Sequence, residues 1–265
     1  MLSNLYDFDP RKDAYAFTEK DAASIDAWAL GELNRVIAAV RGGFENYDFA
    51  TVRETIFSFC NEALSSVYMA ATKDRLYCDK ADSPRRRRTQ TAMHRIADGL
   101  IRLIAPVMVH TADEAWLALH GKTMEDEAMC IHTEPLPEPK VVPVDADWVK
   151  VMGLRSDALR VIETSRQSAG VENPMDLWLK CISIHDNGKY FEKFKNEFGD
   201  LCNVSDIESL EIHQDGSGVW PISFEAVNKS SLPQCERSRK RDRTVKLRSD
   251  GSMLSDRDAD ALGLA

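Results

Sequence analysis

The sequence predicts a mainly α-helical protein, in which a helical bundle is followed by a small α+β domain. Three observations support this fold class. Apolar residues recur at steps of three and four through the first half, as amphipathic helices require. Short β-like runs appear only in the last third. A proline-rich stretch separates the two regions. The predicted divisions are a bundle over 1–134, a linker over 135–147, an α+β domain over 148–230 and a basic tail over 231–265.

Four segments in the first half have the apolar periodicity of helices, and long helices joined by short loops predict a bundle. The first covers 18–43, and its expected core residues are Ile25, Trp28, Leu33, Ile37 and Val40. The second covers 48–77, with Val52, Ile56, Phe59, Ala63, Val67 and Ala70. The third follows Ser83, with Met93, Ile96, Leu100, Ile104 and Val107.

Helix boundaries can also be predicted from single residues. Ser83 is a good N-cap, and Pro84 suits the first helical position, where its missing N–H costs nothing. Pro106 should kink or end the third helix. In the fourth segment, Thr111 and Glu114 have the spacing of a capping box, and Gly121 suits the helix C-terminus.

The second half changes character at 133–147, which holds four of the ten prolines and is expected to be an extended linker or strap. A helix is predicted over 148–166 and another over 189–201. Three strands are predicted, over 177–184, 206–212 and 218–227. The tail is basic up to Arg248 and acidic beyond it, and is expected to be poorly ordered without a partner.

Composition excludes several classes of protein. The apolar runs are too short to cross a bilayer, and the N-terminus lacks the features of a secretory signal. Six scattered cysteines without a C-x-x-C pair are typical of reduced thiols, so a cytoplasmic location is expected. The net charge of −9 argues against binding nucleic acid over the whole surface, but local basic patches remain.

No catalytic constellation is present: the sequence has no P-loop, dinucleotide-binding glycine motif or nucleophile elbow. His110 and Glu114 have the spacing of a helical metal pair, but the capping box explains Glu114 better. Cys130 and His132 are too few to form a structural zinc site. No catalytic residue and no metal ligand set is therefore predicted.

Two basic clusters are the strongest functional signal. The first is Arg85, Arg86, Arg87 and Arg88, extended by Lys73, Arg75 and Lys80. Four arginines in the first turn of a helix oppose the helix dipole, but guanidinium groups beside free backbone N–H groups suit phosphate. The second comprises Arg237, Arg239, Lys240, Arg241, Arg243, Lys246 and Arg248. The alternative for both is a solvated face or an ion-pair network.

Tryptophans could stack on bases. Trp28 and Trp116 lie on apolar helical faces, which favours core packing for both. Trp178 and Trp220, in the β-rich part, are open to either role.

Residues 47–116 closely resemble the anticodon-binding helical domain of bacterial isoleucyl-tRNA synthetases. The resemblance is carried by "YDF", "FC", "KDRLY", the "ADS…RR…QTA" run and "APVMVHTADEAW" at their mutual spacing. The segments "NLYDFDP" and "DAWALGELNRV" extend it upstream, and it continues more weakly beyond 148 with "WVKVMGLRSDALRVIETSR" and "CISI".

This resemblance implies that the chain is the tRNA-binding part of an isoleucine–tRNA ligase, a cytoplasmic and monomeric enzyme that uses ATP and Mg²⁺. The ATP-site motifs and the editing domain are not in this sequence, so the chain by itself is expected to be inactive, with N-terminal catalytic and editing domains as its partners. No membrane partner is expected. The tRNA-binding residues that the resemblance and the charge pattern imply are Lys73, Arg75, Arg85, Arg86, Arg87, Arg88, Arg237, Arg239, Lys240 and Arg241. For Lys73 and Arg75 the alternative is structural, with Asp74 and Arg75 pairing to lock helix ends.

One departure concerns zinc. Bacterial members of this family commonly end in a zinc module with two C-x-x-C pairs, but here only Cys235 remains and Ser238 stands where the second cysteine would fall. The later pair is replaced within 252–263. With one ligand left of four, zinc is expected to be absent.

Two other functions remain open. A helical scaffold could use the charge clusters to bind proteins. The equivalent domain of a valyl-, leucyl- or methionyl-tRNA synthetase would have a similar length and fold, although the "KDRLY…ADSPRRR…QTA" residues favour isoleucine.

Overall fold

The computed structural model describes residues 1–123, 125, 129–184, 192–213 and 222–264, and the fold within them is mainly helical with small sheets in the C-terminal part. This confirms the predicted fold class. Trp220, residues 189–191 of a predicted helix and residues 218–221 of a predicted strand lie outside the described residues. No described helix combines the length and the apolar content that a membrane crossing requires.

The chain forms two compact units. Unit 1 comprises Met1–Met69 and Asp82–Val144, and unit 2 comprises Ala70–Ala81 and Asp145–Ala265. The helices are α1 (Ile25–Glu45), α2 (Phe49–Ser58), a π-helical segment (Phe59–Tyr68), α3 (Met69–Ala71), α4 (Lys73–Cys78), α5 (Pro84–Ile104), α6 (Val109–Leu119), α7 (Trp148–Ala169), α8 (Lys195–Cys202) and α9 (Asp256–Leu262). The strands are β1 (Leu177–Ile184), β2 (Asp206–His213), β3 (Ile222–Asn228), β4 (Lys246–Leu247) and β5 (Met253–Leu254). Single 3₁₀ turns lie at Leu2–Leu5, Glu19–Asp21, Ile131–Thr133 and Pro174–Asp176.

These units divide the chain differently from the predicted boundaries. Residues 70–81, placed by the sequence in the bundle, belong to unit 2. The bundle-side unit also extends to Val144, so most of the predicted linker belongs to it. There the linker lies along α1: Asn34 Nδ2 donates to the Lys140 carbonyl over 2.7 Å, and the Lys140 N–H donates to Asn34 Oδ1 over 3.0 Å. The proline-rich segment is thus a strap on unit 1.

Side-chain caps and prolines set the helix ends of unit 1. The Ser24 hydroxyl accepts from the Ala27 N–H at the start of α1, and Ser83 and Pro84 occupy the N-cap and first position of α5 as predicted. Helix α5 ends at Ile104, two residues before Pro106. The predicted capping box of α6 is wrong: the helix begins at Val109, so Thr111 lies inside it.

The core of α1 follows the prediction, with all five expected residues buried. The second predicted helix does not keep its predicted face. From Phe59 to Tyr68 the backbone is π-helical, and each such turn takes up more residues than an α-helical turn. The buried face therefore advances by one residue, from the expected Ala63, Val67 and Ala70 to Leu64, Tyr68 and Ala71.

This shift places Tyr68 beside a buried carboxylate. Tyr68 and Asp26 are both 0% exposed, and the phenol donates to Asp26 Oδ1 over 2.9 Å. Asp26 Oδ2 also accepts from Thr89 Oγ1 at 3.1 Å. A buried charge requires such donors, because water no longer supplies them. The π-helical segment thus provides one of the donors on which the core of unit 1 relies.

Unit 2 contains a three-stranded sheet in the order β2–β1–β3. Strand β1 pairs in parallel with β2 and antiparallel with β3, and its predicted bounds match the observed ones. Aromatic rings fix the helices of this unit. The Trp148 and Phe194 centroids are 5.0 Å apart in an edge-to-face arrangement, and Phe198 stacks on Phe224 at 5.5 Å. The buried face of the sheet is thereby covered by helices, as an α+β domain requires.

The basic tail has a structure of its own, contrary to the expected lack of order. The hairpin of β4 and β5 and the helix α9 enclose a small core of Cys235, Val245, Leu254 and Ala259. Ser255 caps α9 by accepting from the Asp258 N–H over 3.2 Å. Residues 235–264 are called the C-terminal module below.

We predict that Tyr68→Phe lowers the free energy of unfolding by about 1.5 to 3 kcal/mol, the usual contribution of a hydrogen bond to a charged group. The ring still fills its site, so the loss reports the hydroxyl alone. Urea denaturation monitored by circular dichroism measures it. Tyr6→Phe is the matched control, because the Tyr6 side chain is 82% exposed. Equal stability of both variants would contradict a supporting role for the Tyr68 hydroxyl.

Candidate nucleic-acid interface

The first turn of α5 presents its arginines to carboxylates of the segment before and at the start of α1. Arg86 is 4% exposed, and its Nη1 donates to Asp7 Oδ2 over 2.7 Å. Arg87 Nη1 donates to the Asp7 carbonyl over 2.8 Å. Arg88 Nε donates to Asp26 Oδ2 over 2.9 Å. Arg86, Arg87 and Arg88 therefore have intramolecular partners within unit 1, and the Arg85 side chain is half-buried.

The arginines lower the pKa values of two carboxylates beside them. Burial raises the pKa of Asp7, but hydrogen bonds from Arg86 and Gln90 and the nearby arginine charges outweigh it, so the pKa is lowered overall. The pKa of Asp21 is lowered as well: burial raises it, while hydrogen bonds from Thr18 and Tyr15 and the charge of Arg88 lower it by more. Both side chains thus remain ionised and keep their attraction for the arginines at neutral pH.

The proposed upstream extension of this cluster lies in the other compact unit. Lys73 and Arg75 are on α4, which belongs to unit 2, whereas Arg85 and its neighbours belong to unit 1. Lys73 is exposed, and no ion pair with it is found in the described part of the chain. Each group is therefore described as a candidate surface of its own unit.

Arg75 has a structural position. Its side chain is fully buried, and Nη2 lies 2.9 Å from both Glu197 Oε2 and Asp200 Oδ2 on α8. A guanidinium group shared by two carboxylates fixes α4 against α8, because removing it would leave buried negative charge. These contacts favour the structural alternative for Arg75, with Glu197 and Asp200 of α8 as partners of its guanidinium group.

Asp74 binds two cations of the C-terminal module. Arg257 donates to it through both terminal nitrogens, at 2.6 and 2.9 Å, and Lys240 Nζ lies 3.4 Å from Oδ2. Lys240 also donates to Asp200 over 3.1 Å. Burial lowers the pKa of Lys240, but the charges of Asp200 and Asp74 raise it by more, so the group stays protonated. Charges of alternating sign thus connect α4, α8 and the C-terminal module within unit 2.

The other arginines of the second basic cluster fall into two groups, those bonded within unit 2 and those exposed at its surface. Arg237 Nη2 donates to the Tyr77 carbonyl over 2.9 Å, and Arg241 Nε donates to Asp176 over 2.7 Å. Arg239 and Arg243 are exposed. Arg239 has a positive φ of 62°, and the Arg243 guanidinium lies 5.2 Å from the centroid of the Trp178 ring. These two arginines are therefore accessible at the surface of unit 2.

Two cavities of unit 2 are lined by four of the predicted residues, Lys73, Arg237, Lys240 and Arg241. A cavity of about 180 Å³ is lined by Lys73, Tyr77, Arg237 and Lys240 among others. A second, of about 510 Å³, is lined by Lys240, Arg241, Arg243 and Trp178, together with the acids Asp206, Glu208 and Asp242. Unit 2 contains six of the residues predicted to bind tRNA: Lys73, Arg75, Arg237, Arg239, Lys240 and Arg241.

The cysteines, the His110–Glu114 pair and the tryptophans are the other candidate functional residues. Burial raises the pKa of the Cys78, Cys181 and Cys202 thiols to about 12, so these are inert core residues. His110 and Glu114 are exposed on α6. In the described ranges, no three His, Cys, Asp or Glu side chains are grouped so that they could hold a metal ion. Trp28, Trp116, Trp148 and Trp178 are buried.

Several residues of this network were missed by sequence reasoning. Asp200 and Arg257 connect the elements of unit 2, yet neither stands out in a charged, acidic sequence, and Asp74 was considered only as a partner of Arg75. Asp258 carries a signal that could have been used: Ser255 and Asp258 repeat the i, i+3 spacing of Cys235 and Ser238.

Comparison with known proteins gives consistent matches. The family described as the anticodon-binding domain of tRNA ligase matches residues 26–180. Isoleucine–tRNA ligase of Bacillus subtilis (strain 168) is 31% identical over 245 residues, 90% of this chain and 26% of that protein. The enzymes of Desulfitobacterium hafniense (strain Y51) and Thermotoga neapolitana are 32% and 33% identical, each over 82% of this chain and 23% of their own length. The chain thus spans about a quarter of the length of these relatives.

We predict that Arg75→Met lowers the free energy of unfolding by about 3 to 5 kcal/mol, as expected when one partner of a buried ion pair is removed. The methionine retains much of the buried stem, so the loss reports the charge. Chemical denaturation measures it. Arg160→Met is the control, because Arg160 is 77% exposed and pairs only loosely, at 3.4 Å, with Asp157. If the two variants were equally stable, the buried pairing would contribute nothing.

We further predict that the stability cost of Arg86→Met is larger at pH 7 than at pH 3. The pKa of Asp7 is below its ordinary 3.8 in the folded chain, so its contribution to stability is complete above 3.8 and is lost as the pH falls through the folded value. At pH 3, which is below the ordinary pKa of 3.8, part of this contribution is already lost, so removing the arginine costs less stability. Urea denaturation of variant and parent at both pH values gives the difference.

Arg53→Met is the control for that experiment, because Arg53 is 76% exposed and pairs with the equally exposed Glu54. Its cost should be small at both pH values. A pH-independent cost of Arg86→Met would show that Arg86 acts through packing of its stem and not through its charge.

Proposed function

This chain belongs to the family of tRNA-ligase anticodon-binding domains, and from that premise we propose that it is the tRNA-binding part of an isoleucine–tRNA ligase. The family match over residues 26–180 carries the proposal, and the isoleucine specificity rests on the three relatives described above, each an isoleucine–tRNA ligase. On this proposal, the catalytic and editing steps, with ATP and Mg²⁺, belong to other domains of a longer cytoplasmic, monomeric enzyme, and this chain alone is inactive.

Binding of an anticodon stem-loop would require two kinds of contact. Phosphate contacts from lysine and arginine position an RNA, while unstacked loop bases provide the sequence information. Unit 2 offers exposed cations for the phosphate contacts, namely Lys73, Arg239 and Arg243. Lys73 and Arg243 line cavities together with Arg237, Lys240 and Arg241. We expect exposed cations to bind phosphate more readily than buried ones, because an exposed cation does not have to break an ion pair with a buried carboxylate first.

The arginines of α5 are the second candidate contact. Arg85, Arg86, Arg87 and Arg88 were predicted to hold phosphate, and that role stays a prediction. Because Arg86, Arg87 and Arg88 already bind oxygen atoms of acidic residues in unit 1, each would have to share or exchange an internal partner with RNA. We therefore expect most of the salt-dependent binding to come from Lys73, Arg239 and their neighbours in unit 2.

We predict that the chain binds isoleucine tRNA with an affinity that falls steeply between about 50 and 200 mM salt, as phosphate contacts require. Lys73→Gln combined with Arg239→Gln should make the slope of log Kd against log salt shallower by about one unit for each phosphate ligand removed. Filter binding across a salt series measures the slope. Both side chains are exposed, so the fold should be unaffected.

The matched control is Arg53→Gln with Lys150→Gln, which removes two exposed cations, each already paired with a nearby acid. It should leave the slope unchanged. Equal slopes for all three proteins would rule out Lys73 and Arg239 as phosphate ligands. Binding that is undetectable at low salt would overturn the tRNA proposal itself and favour a protein-binding scaffold.

A further inference from the structure

Two four-residue segments face each other inside the C-terminal module. Cys235 and Ser238 are the first and last residues of one, and Ser255 and Asp258 are the first and last of the other. Cys235 and Asp258 are 0% exposed, and both serines are buried as well. Both pairs have the i, i+3 spacing that the two cysteine pairs of a zinc module have. The positions therefore correspond to those of a four-ligand metal site.

The side chains at these positions meet on one atom. Asp258 Oδ2 accepts hydrogen bonds from the Ser238 hydroxyl at 2.7 Å, the Cys235 thiol at 2.9 Å and the Ser255 hydroxyl at 3.0 Å. The other oxygen, Oδ1, accepts from Arg257 Nη2 at 3.1 Å. The four positions thus form a closed set of three donors and one acceptor, supported by a nearby positive charge.

This set does not fit a zinc ion. Structural zinc is held by four cysteine or histidine ligands at about 2.0 to 2.3 Å, and tetrahedral ligands at those lengths lie roughly 3.3 Å or more from one another. The distances here, 2.7 to 3.0 Å, are those of hydrogen bonds. Two of the four groups are neutral hydroxyls, which are not typical zinc ligands.

We infer that a hydrogen-bonded tetrad of Cys235, Ser238, Ser255 and Asp258 replaces a metal ion as the centre that holds the C-terminal module together. The Asp258 carboxylate is the hub, and the other three side chains converge on it from both segments. Arg257 connects this hub to the rest of unit 2, because its guanidinium group binds both Asp258 and Asp74. The module consequently folds without metal.

The carboxylate is stable in this position because its donors offset its burial. Burial raises the pKa of Asp258, while hydrogen bonds from Cys235 and Ser238 and the charge of Arg257 lower it by more, leaving the group ionised. A buried carboxylate that accepts several hydrogen bonds keeps its charge, whereas one without donors would be protonated. Each donor of the tetrad therefore contributes to the stability of the module.

The metal-free state is tested on the full chain by elemental analysis and by thermal unfolding with and without EDTA. We expect less than about 0.1 zinc per chain and a Tm that EDTA does not move, since a metal that folds a domain makes it sensitive to chelators. One zinc per chain, removed by EDTA with loss of stability, would overturn the inference.

The role of the hub is tested by Asp258→Asn, which keeps the shape but removes the charge and one acceptor oxygen. We expect a Tm lower by at least about 4 °C, whereas Asp250→Asn should leave it within about 1 °C, because the Asp250–Ser252 hydrogen bond of the same module is exposed. Equal Tm values for the two variants would contradict the tetrad.

A second variant remains informative if Asp258→Asn fails to fold. Ser238→Cys, Ser255→Cys and Asp258→Cys together place four thiols at the four positions. This triple variant should bind one Co²⁺ per chain, with the intense thiolate absorption of tetrahedral cobalt, and should gain a Tm that EDTA lowers. The control adds three cysteines at exposed sites of unit 2, Ser231→Cys, Thr244→Cys and Ser249→Cys. Cobalt spectra that are the same for both variants would show that the four positions do not converge.

Discussion

The buried carboxylate of Asp26 constrains how unit 1 can be built. A carboxylate without contact to water needs several donors, and losing one charged partner of such a group costs about 3 to 5 kcal/mol. Placing a cation at a helix N-terminus costs only about 0.3 to 1 kcal/mol. The loss of the ion pair is the greater of these two costs, so Arg88 at the start of α5 serves Asp26 even though the helix dipole opposes it. An acidic protein can thus concentrate arginines where helices normally carry acids.

The same requirement organises unit 2. Arg75 lies between Glu197 and Asp200, and Asp200 in turn contacts Lys240 of the C-terminal module. Asp74 receives Arg257, whose neighbour Asp258 is the hub of the buried tetrad. Each charged side chain in this series is stabilised by a neighbour of opposite charge. The C-terminal module, which reads as a free basic tail in the sequence, thus has ionic partners on α4 and α8 in addition to its own core.

Much of the fold could be predicted from the sequence because it depends on local patterns. Apolar periodicity predicted α1 and α5, Ser83 and Pro84 predicted the start of α5, and the short β-like run over 177–184 predicted β1. The face of the second helix could not be predicted, because the π-helical segment changes the period without a signal in the apolar pattern. There the buried side chain is Tyr68, whose contact with Asp26 joins residues 42 apart in the sequence.

The candidate interface was harder to predict for a related reason. Charge runs reveal where cations are but not what they contact: Arg86 meets Asp7 79 positions away, and Arg75 meets Asp200 125 positions away. An arginine held in this way can leave its carboxylate for RNA only by exposing that carboxylate to the several-kcal/mol cost of a broken pair. Releasing counterions from one phosphate group gains less at physiological salt. Cations such as Lys73 and Arg239, which are exposed, avoid this cost entirely. On the proposed function, stability and RNA affinity would therefore depend on different members of the same basic clusters, and the exposure of a side chain would distinguish the two roles better than its position in the sequence.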